Sequence, residues 1–409
     1  MLISTDALAV PGYNERVSVG TQLLDLGRPD AEAWRRAALL LTAFLFPAGY
    51  ATPGALILLL LSMAVAARRP AALWRRTSVD ISLALLLLFL ALSAVRSPFP
   101  AMAAGSTLLL AILIALAFGG TAATLTRTPE DLVPLLWALG SGTAAAALWG
   151  TISYLLTGRP ASTAALGYNA VGTTLATGLP ILLGLGVHAR GRHRLGAAAA
   201  AALTLVGLAL TFARGAWLGG AAGLLLFIVL LPRQALRPAL PLLAAVLIAG
   251  GLALANAAGA LGVRAESLSA PGAVSDRVAM WRASLAMLHD RPLLGSGLNT
   301  FGLVYPRYRL PEDRAASQPF AHNIFLNMAA EGGLAGLGAF LAALATAAVL
   351  GLRWLRRGDA AERVRAASVL AAAAALMVHQ QVDGTAISFH IGFGLWVLLA
   401  VMAARGAAP

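Results

Sequence analysis

Three observations predict an all-α fold, a polytopic membrane protein of about twelve transmembrane helices. First, the 409 residues are 59% hydrophobic and only 11% charged, more apolar surface than a water-soluble fold can hide. Second, Leu/Ala-rich runs near the ~20 residues needed to cross a ~30 Å hydrocarbon core recur along the chain. These runs are continuous rather than alternating, which excludes a transmembrane β-barrel. Third, the basic residues gather in every second connection between runs, the pattern that orients membrane helices.

Taken in order, Met1 to Ala33 is polar and mixed in charge, has no signal-peptide core, and reads as a cytoplasmic tail within segment 1–36. Apolar runs follow at roughly 37–50, 53–67, 78–95, 103–123, 132–156, 168–188, 195–212, 215–232 and 239–258, the first nine spans. The last three lie at roughly 332–352, 364–380 and 387–404, ahead of a short cytoplasmic end at 409. With the N-terminus inside, the inner segments carry Arg35-Arg36, Arg68-Arg69, Arg75-Arg76, Arg127, Arg190 to Arg194, Arg233, Arg237, Arg353 to Arg365 and Arg405. The short outer loops carry only Arg96, Arg159 and Arg214. Both termini are therefore expected inside.

Leu195 to Leu231 would be ~55 Å long as one helix, too long for the bilayer. It must break at Arg214-Gly215, which makes 211–217 a tight outer hairpin. Arg214 then either snorkels to the interface or faces an anion. Asn169 and Thr173-Thr174, near the start of the sixth span, either line a polar cavity or satisfy one another between helices.

Residues 259–331 form the one long segment that is not a span, and topology puts it outside. It holds seven arginines. Ser275-Asp276 can cap a helix on which Val278, Trp281, Leu285 and Leu288 share a face suited to a membrane surface. Arg277 and Trp281 are neighbours on that helix, and Arg291-Pro292 ends it. Leu294 to Phe301 reads as a turn and Tyr305 to Arg314 as a polar, solvated stretch. Pro319 is expected to start a second helix, with His322, Phe325, Leu326 and Ala329 on one face, before Gly332-Gly333 leads into the tenth span. His322 would thus stand at the outer surface, where neutral imidazole is a competent base. Past the eleventh span, Asp383 can pair with Arg214 or Arg277, orient His322, or be a solvated turn residue.

Several chemistries are excluded. There is no cysteine, hence no thiolate nucleophile or thiolate metal site. All thirty basic residues are arginine, so Schiff-base and Walker-type lysine mechanisms are impossible. The net charge of +13 sits largely in short loops and signals topology, not a nucleic-acid partner. No carboxylate cluster offers a metal site and no cofactor is expected, so an anion must be neutralised by arginine. Guanidinium groups hold phosphate oxygens in bidentate fashion. A pyrophosphate-linked lipid at the outer leaflet fits Arg214 and Arg277.

The stretches Phe212-Ala213-Arg214-Gly215-Ala216-Trp217, Asp276-Arg277 with Trp281, Pro292-Leu293-Leu294-Gly295-Ser296-Gly297, and Ala321-His322-Asn323 with Glu331-Gly332-Gly333 resemble the O-antigen ligase and O-antigen polymerase superfamily. The resemblance is specific over about residues 165–390; the first half matches only in hydropathy. The chain has Ala213 where the family often has serine. The resemblance implies a GT-C-like, metal-independent, inverting glycosyltransferase of the bacterial inner membrane. It would move a glycan from undecaprenyl pyrophosphate to lipid A-core or another hydroxyl acceptor. Arg214 and Arg277 would hold the pyrophosphate and His322 would activate the acceptor, with Asp383, Trp281 and Asn323 in support. A polymerase or a protein O-oligosaccharyltransferase of the same superfamily is the nearest alternative. A transporter or flippase of an anionic lipid is more distant, because transporters gather charge at the midplane and this chain gathers it at the outer edge.

Overall fold

The computed structural model describes residues 31–48, 75–257, 272–311, 313, 317–383 and 389–407. The N-terminal tail up to residue 30 and the second apolar run lie outside the described residues. Among these residues the fold is all-helical, without a strand. The helices are α1 (Ala31–Ala48), α2 (Asp80–Arg96), α3 (Pro100–Arg127), α4 (Leu132–Thr157), α5 (Tyr168–His188), α6 (Gly191–Leu210), α7 (Arg214–Leu230) and α8 (Arg233–Asn256). They continue with α9 (Gly272–Asp290), α10 (Phe301–Val304), α11 (Ile324–Arg357), α12 (Ala360–His379) and α13 (Phe389–Gly406).

Six of these, α3, α4, α5, α6, α8 and α11, are long and apolar enough to cross a membrane. Shorter apolar stretches occur in α1, α7 and α13. The break required near Arg214 is present: α6 stops at Leu210 and α7 starts at Arg214. Most of α5 is enclosed by other helices, whereas α8 leaves Leu240, Leu247, Ile248 and Leu252 more than half exposed. Such a surface suits hydrocarbon and not water.

Because lipid offers helices no hydrophobic drive to associate, close backbone approach at small residues holds them together. Helix α7 packs on α12 in this way. A Cβ on Gly219 would stand 2.5 Å from the Ala375 carbonyl oxygen, and one on Gly223 2.7 Å from Ala375 Cβ. At the arginine-rich end of the bundle, the Glu362 carboxylate joins three helix ends. It accepts from Trp354 Nε1 and from Arg405, each at 2.7 Å, and from Arg365.

Three local expectations are corrected. Helix α9 spans Gly272–Asp290, so Ser275-Asp276 lie inside it instead of capping it. The stretch from Tyr305 is anchored and not merely solvated, although Pro306, Arg307, Leu310 and Pro311 are exposed: Tyr305 is fully buried and stacks on Phe301 at 5.5 Å, and Tyr308 donates to Asp290 at 2.9 Å. Their shared core with Met280, Met287, Ala321 and Ala330 supplies the burial that local polarity concealed. The second loop helix and the tenth span are one helix, α11, kinked at Gly333. On α9 the expected apolar stripe faces away from this core. Val278 and Leu285 are exposed, while Met280, Ala283, Ser284 and Met287 are buried.

Candidate active site

Two of the sequence motifs build the frame of the site by locking onto each other. The turn at 292–297 lies along the kink of α11. Leu334 N–H donates to Pro292 at 2.8 Å and Ala335 N–H to Leu293 at 3.1 Å; Ser296 and Gly297 N–H donate back to Ala330 and Glu331 at 3.0 and 2.8 Å. Gly333 has φ +65, and a Cβ there would stand 2.3 Å from the Leu293 carbonyl, so only glycine fits. The buried Glu331 carboxylate accepts from Phe301 N–H at 2.8 Å and from Asn327 Nδ2 at 2.9 Å. The Asn299 and Thr300 N–H groups also point to it. Asn327 Oδ1 in turn accepts Ala321 N–H at 3.0 Å, which carries the network to the residue before His322.

His322 is not on a helix face, contrary to expectation. Its φ is +53, and α11 starts two residues later. The cause is Asn323, whose Oδ1 caps α11 by accepting Phe325 and Leu326 N–H at 3.0 and 3.1 Å. A left-handed non-glycine residue costs about 1–3 kcal/mol and is held only by its surroundings. Those surroundings are visible. Asn323 Nδ2 donates to Gln381 O at 3.2 Å and Ile324 N–H to Gln380 O at 2.9 Å, pinning the segment to the end of α12.

Asp383, three residues further on, is buried and therefore not a solvated turn residue. Its Oδ1 lies 3.9 Å from His322 Nδ1, too far for a hydrogen bond but facing it. The His322 side chain is 22% exposed while Nδ1 itself is shielded, so the accessible edge is the one bearing Nε2. Burial, and then the nearby Arg277 guanidinium, push the His322 imidazole down to about 4. It is neutral at pH 7.

Arg277, on α9, is half-buried, and its charge reaches both His322 and His379. Trp281, one turn on, is half-buried with its indole N–H shielded and without a hydrogen-bond partner among the described residues. Arg214 is the exposed first residue of α7. Its neighbour Gly215 abuts the 379–382 turn: a Cβ there would stand 2.4 Å from Val382 Cγ2. Phe212, just before, is also left-handed at φ +53. Neither Arg214 nor Arg277 has a carboxylate partner among the described residues.

The structure thus brings His322, Asp383 and Arg277 together, with Asn323 as the tie and the start of α7, carrying Arg214, against the same turn. One residue that sequence reasoning left aside joins them. His379 is 2% exposed and bonded through Nδ1 to Thr173 Oγ1 at 2.6 Å, across 206 residues of sequence. Thr173, Thr174 and Thr177 line a cleft together with Phe46, Leu376 and Phe393. Apart from threonines the lining is apolar and Asn169 is not part of it, so the expected polar cavity is not what forms here; Thr173 instead satisfies a neighbouring helix through His379.

No curated protein matches the chain. A family model described as O-antigen ligase matches residues 199–341, a segment that contains Arg214, Arg277 and His322 and ends before His379 and Asp383. This match supports assigning the chain to the O-antigen ligase and polymerase superfamily.

Proposed function

We propose that the protein is a glycosyltransferase of O-antigen ligase type that moves a glycan from undecaprenyl pyrophosphate to an acceptor hydroxyl. The observation that carries this reading is a neutral imidazole, His322, with its shielded Nδ1 facing Asp383. It stands within the field of an arginine that has no carboxylate partner among the described residues. The proposed topology is twelve spans with both termini cytoplasmic, the segment 259–331 at the outer face of the bacterial inner membrane, and spans 37–258 and 332–409 around it.

The donor's pyrophosphate is held by Arg214 and Arg277, whose planar guanidinium forks suit its oxygens. The acceptor oxygen attacks the anomeric carbon on the face opposite the pyrophosphate, with inversion. The bond from that carbon to the phosphate oxygen breaks, and undecaprenyl pyrophosphate leaves with the electron pair. Arginine stabilises the charge that develops on it, so no metal ion is required. The acceptor proton passes to His322 Nε2. Nδ1–H then bonds Asp383, which holds the imidazolium; closing 3.9 Å by about 1 Å gives an ordinary hydrogen bond. A base near 4 is weak. The incoming pyrophosphate offsets the charge of Arg277, so donor binding itself raises the basicity of His322.

The test is transfer by purified protein supplied with an undecaprenyl-pyrophosphate glycan and, separately, lipid A-core, a second lipid-linked repeat unit, or a peptide hydroxyl. Transfer to lipid A-core supports the ligase, and transfer to a repeat unit or a peptide supports the polymerase or the protein transferase. His322→Ala lowers the rate by roughly 10²–10⁴. Full activity in that variant overturns the assignment.

A further inference from the structure

We propose that His379 is a third ligand of the donor pyrophosphate, presented together with the first turn of α7 as a single anion cradle; this rests on the lipid-pyrophosphate reading above. A buried imidazole at the end of an Ala/Leu-rich helix needs a reason, since an ionisable group among transmembrane helices is costly unless it is used. His379 closes α12 and lies between α5 and α7. Its Nδ1 is occupied by Thr173, 2.6 Å away on α5. The opposite edge of the ring lies against Gly215. A Cβ on that residue would stand 2.8 Å from His379 Cδ2 and 3.2 Å from Nε2. The residue is only 2% exposed, and with Nδ1 held by Thr173 it is the Nε2 edge that faces the start of α7.

What Nε2 meets is electropositive. Helix α7 is 17 residues long and its N-cap, Ala213, gives no side-chain hydrogen bond, so the first N–H groups of α7 point out of the helix end. Arg214 stands at its first position, and the charge of Arg277 reaches the same ring. The first-turn N–H groups of α7, two guanidinium groups and the Nε2 edge of the imidazole make an arrangement that an anion completes.

The cradle takes the tautomer in which Thr173 donates to His379 Nδ1. The one hydroxyl hydrogen of Thr173 lies within reach of the Asn169 carbonyl at 2.9 Å and of His379 Nδ1 at 2.6 Å. Donation to Nδ1 puts the imidazole hydrogen on Nε2, where it can bond a phosphate oxygen. Asn169 O loses little, because it sits one turn before Thr173 in the same helix and keeps the helical N–H. Thr173 is thus the positioning residue and His379 the ligand. Gly215 is the residue that lets the ring approach the start of α7.

The test uses the full chain in detergent, inorganic pyrophosphate as probe and titration calorimetry as readout, beside donor and acceptor KM in the transfer assay. His379→Leu removes the donor at similar volume. It should weaken pyrophosphate binding roughly ten- to a hundredfold, the range for a hydrogen bond to a charged group. Donor KM should rise by a similar factor with acceptor KM unchanged. His379→Gln, whose amide N–H reaches the Nε2 position, should restore binding to within a few fold, while the shorter His379→Asn should not. Thr173→Val should weaken binding in the same sense as His379→Leu. Pyrophosphate binding by His379→Leu equal to wild type overturns the inference. If leucine lowers the melting temperature, the Gln and Asn variants decide, and equal binding by those two overturns it. Wild-type protein that fails to bind pyrophosphate sinks the donor reading and this inference with it.

Discussion

Glu331→Gln replaces a single oxygen by an amide nitrogen, yet it should propagate to His322. Both oxygens of the native carboxyl group act as acceptors: one takes Phe301 N–H at 2.8 Å and the other Asn327 Nδ2 at 2.9 Å. A glutamine can still accept from Phe301, but its NH2 then faces the NH2 of Asn327. Turning the Asn327 amide relieves that contact only by taking Oδ1 away from Ala321 N–H, now 3.0 Å away. Either way a buried donor is left without an acceptor, at about 1–3 kcal/mol each. A loss of about 2 kcal/mol or more is expected, visible as a lower melting temperature of the purified protein. Transfer should fall too, because Ala321 fixes the backbone into the left-handed His322. Asn327→Asp alone should also destabilise, by setting two carboxylates together. The double variant restores complementarity: the aspartate takes Ala321 N–H and the new amide N–H, and the amide oxygen takes Phe301 N–H. Two harmful changes that together recover stability would give a coupling of at least about 2 kcal/mol in a double-mutant cycle. If Glu331→Gln is as stable as wild type, or the double variant is no better than the sum of the singles, the reasoning is wrong.

Three further outcomes are expected. Gly333→Ala combines an extended positive-φ conformation that essentially only glycine adopts (φ 65, ψ −170), costing about 1–3 kcal/mol, with overpacking against the Leu293 carbonyl of about 1–3 kcal/mol; a loss of about 3 kcal/mol or more should appear in thermal unfolding, and wild-type stability would mean that the kink is not locked as described. Arg277→Lys keeps the charge but not the fork, so donor KM should rise about tenfold at unchanged melting temperature, and unchanged donor kinetics would count against the pyrophosphate role. The acid limb of kcat/KM should lie near pH 4, where the free-enzyme His322 titrates, and residual activity of Arg277→Gln should show a limb moved toward 6.5. The matching stability effect has a definite sign. Unfolded chain takes up the His322 proton near 6.5 and folded protein only near 4, so acidification through that window favours unfolding, with no contribution above it. A limb at the same pH in both proteins would contradict the coupling.

Much of the fold was legible because its signal is local. Continuous apolar runs need no partner to be recognised, and the end of a helix at Leu210 with a new start at Arg214 followed from length alone. Long-range burial was not legible. Tyr305 looked solvated because the residues that bury it, among them Met280, Met287 and Ala330, are far away in sequence. His322 was placed one turn inside a helix because Pro319 is a strong start signal, while the actual cap, Asn323, offered a competing one. Of the pairings open to Asp383, the juxtaposition with His322 emerged only through the Asn323–Gln381 bond across 58 residues. Glu331 was visible as part of a motif, but its role depends on three N–H groups of a turn some thirty residues earlier. His379 passed unnoticed because the partner that explains it is on another helix.

The most direct test of the central claim is a cryo-EM map of the protein with a bound undecaprenyl-pyrophosphate lipid. The account predicts both phosphates between Arg214 and Arg277, with the sugar side toward His322 Nε2 and the prenyl chain running between helices. Phosphate density at the arginine-rich opposite end, around Arg365 and Arg405, or a sugar remote from His322, would contradict it.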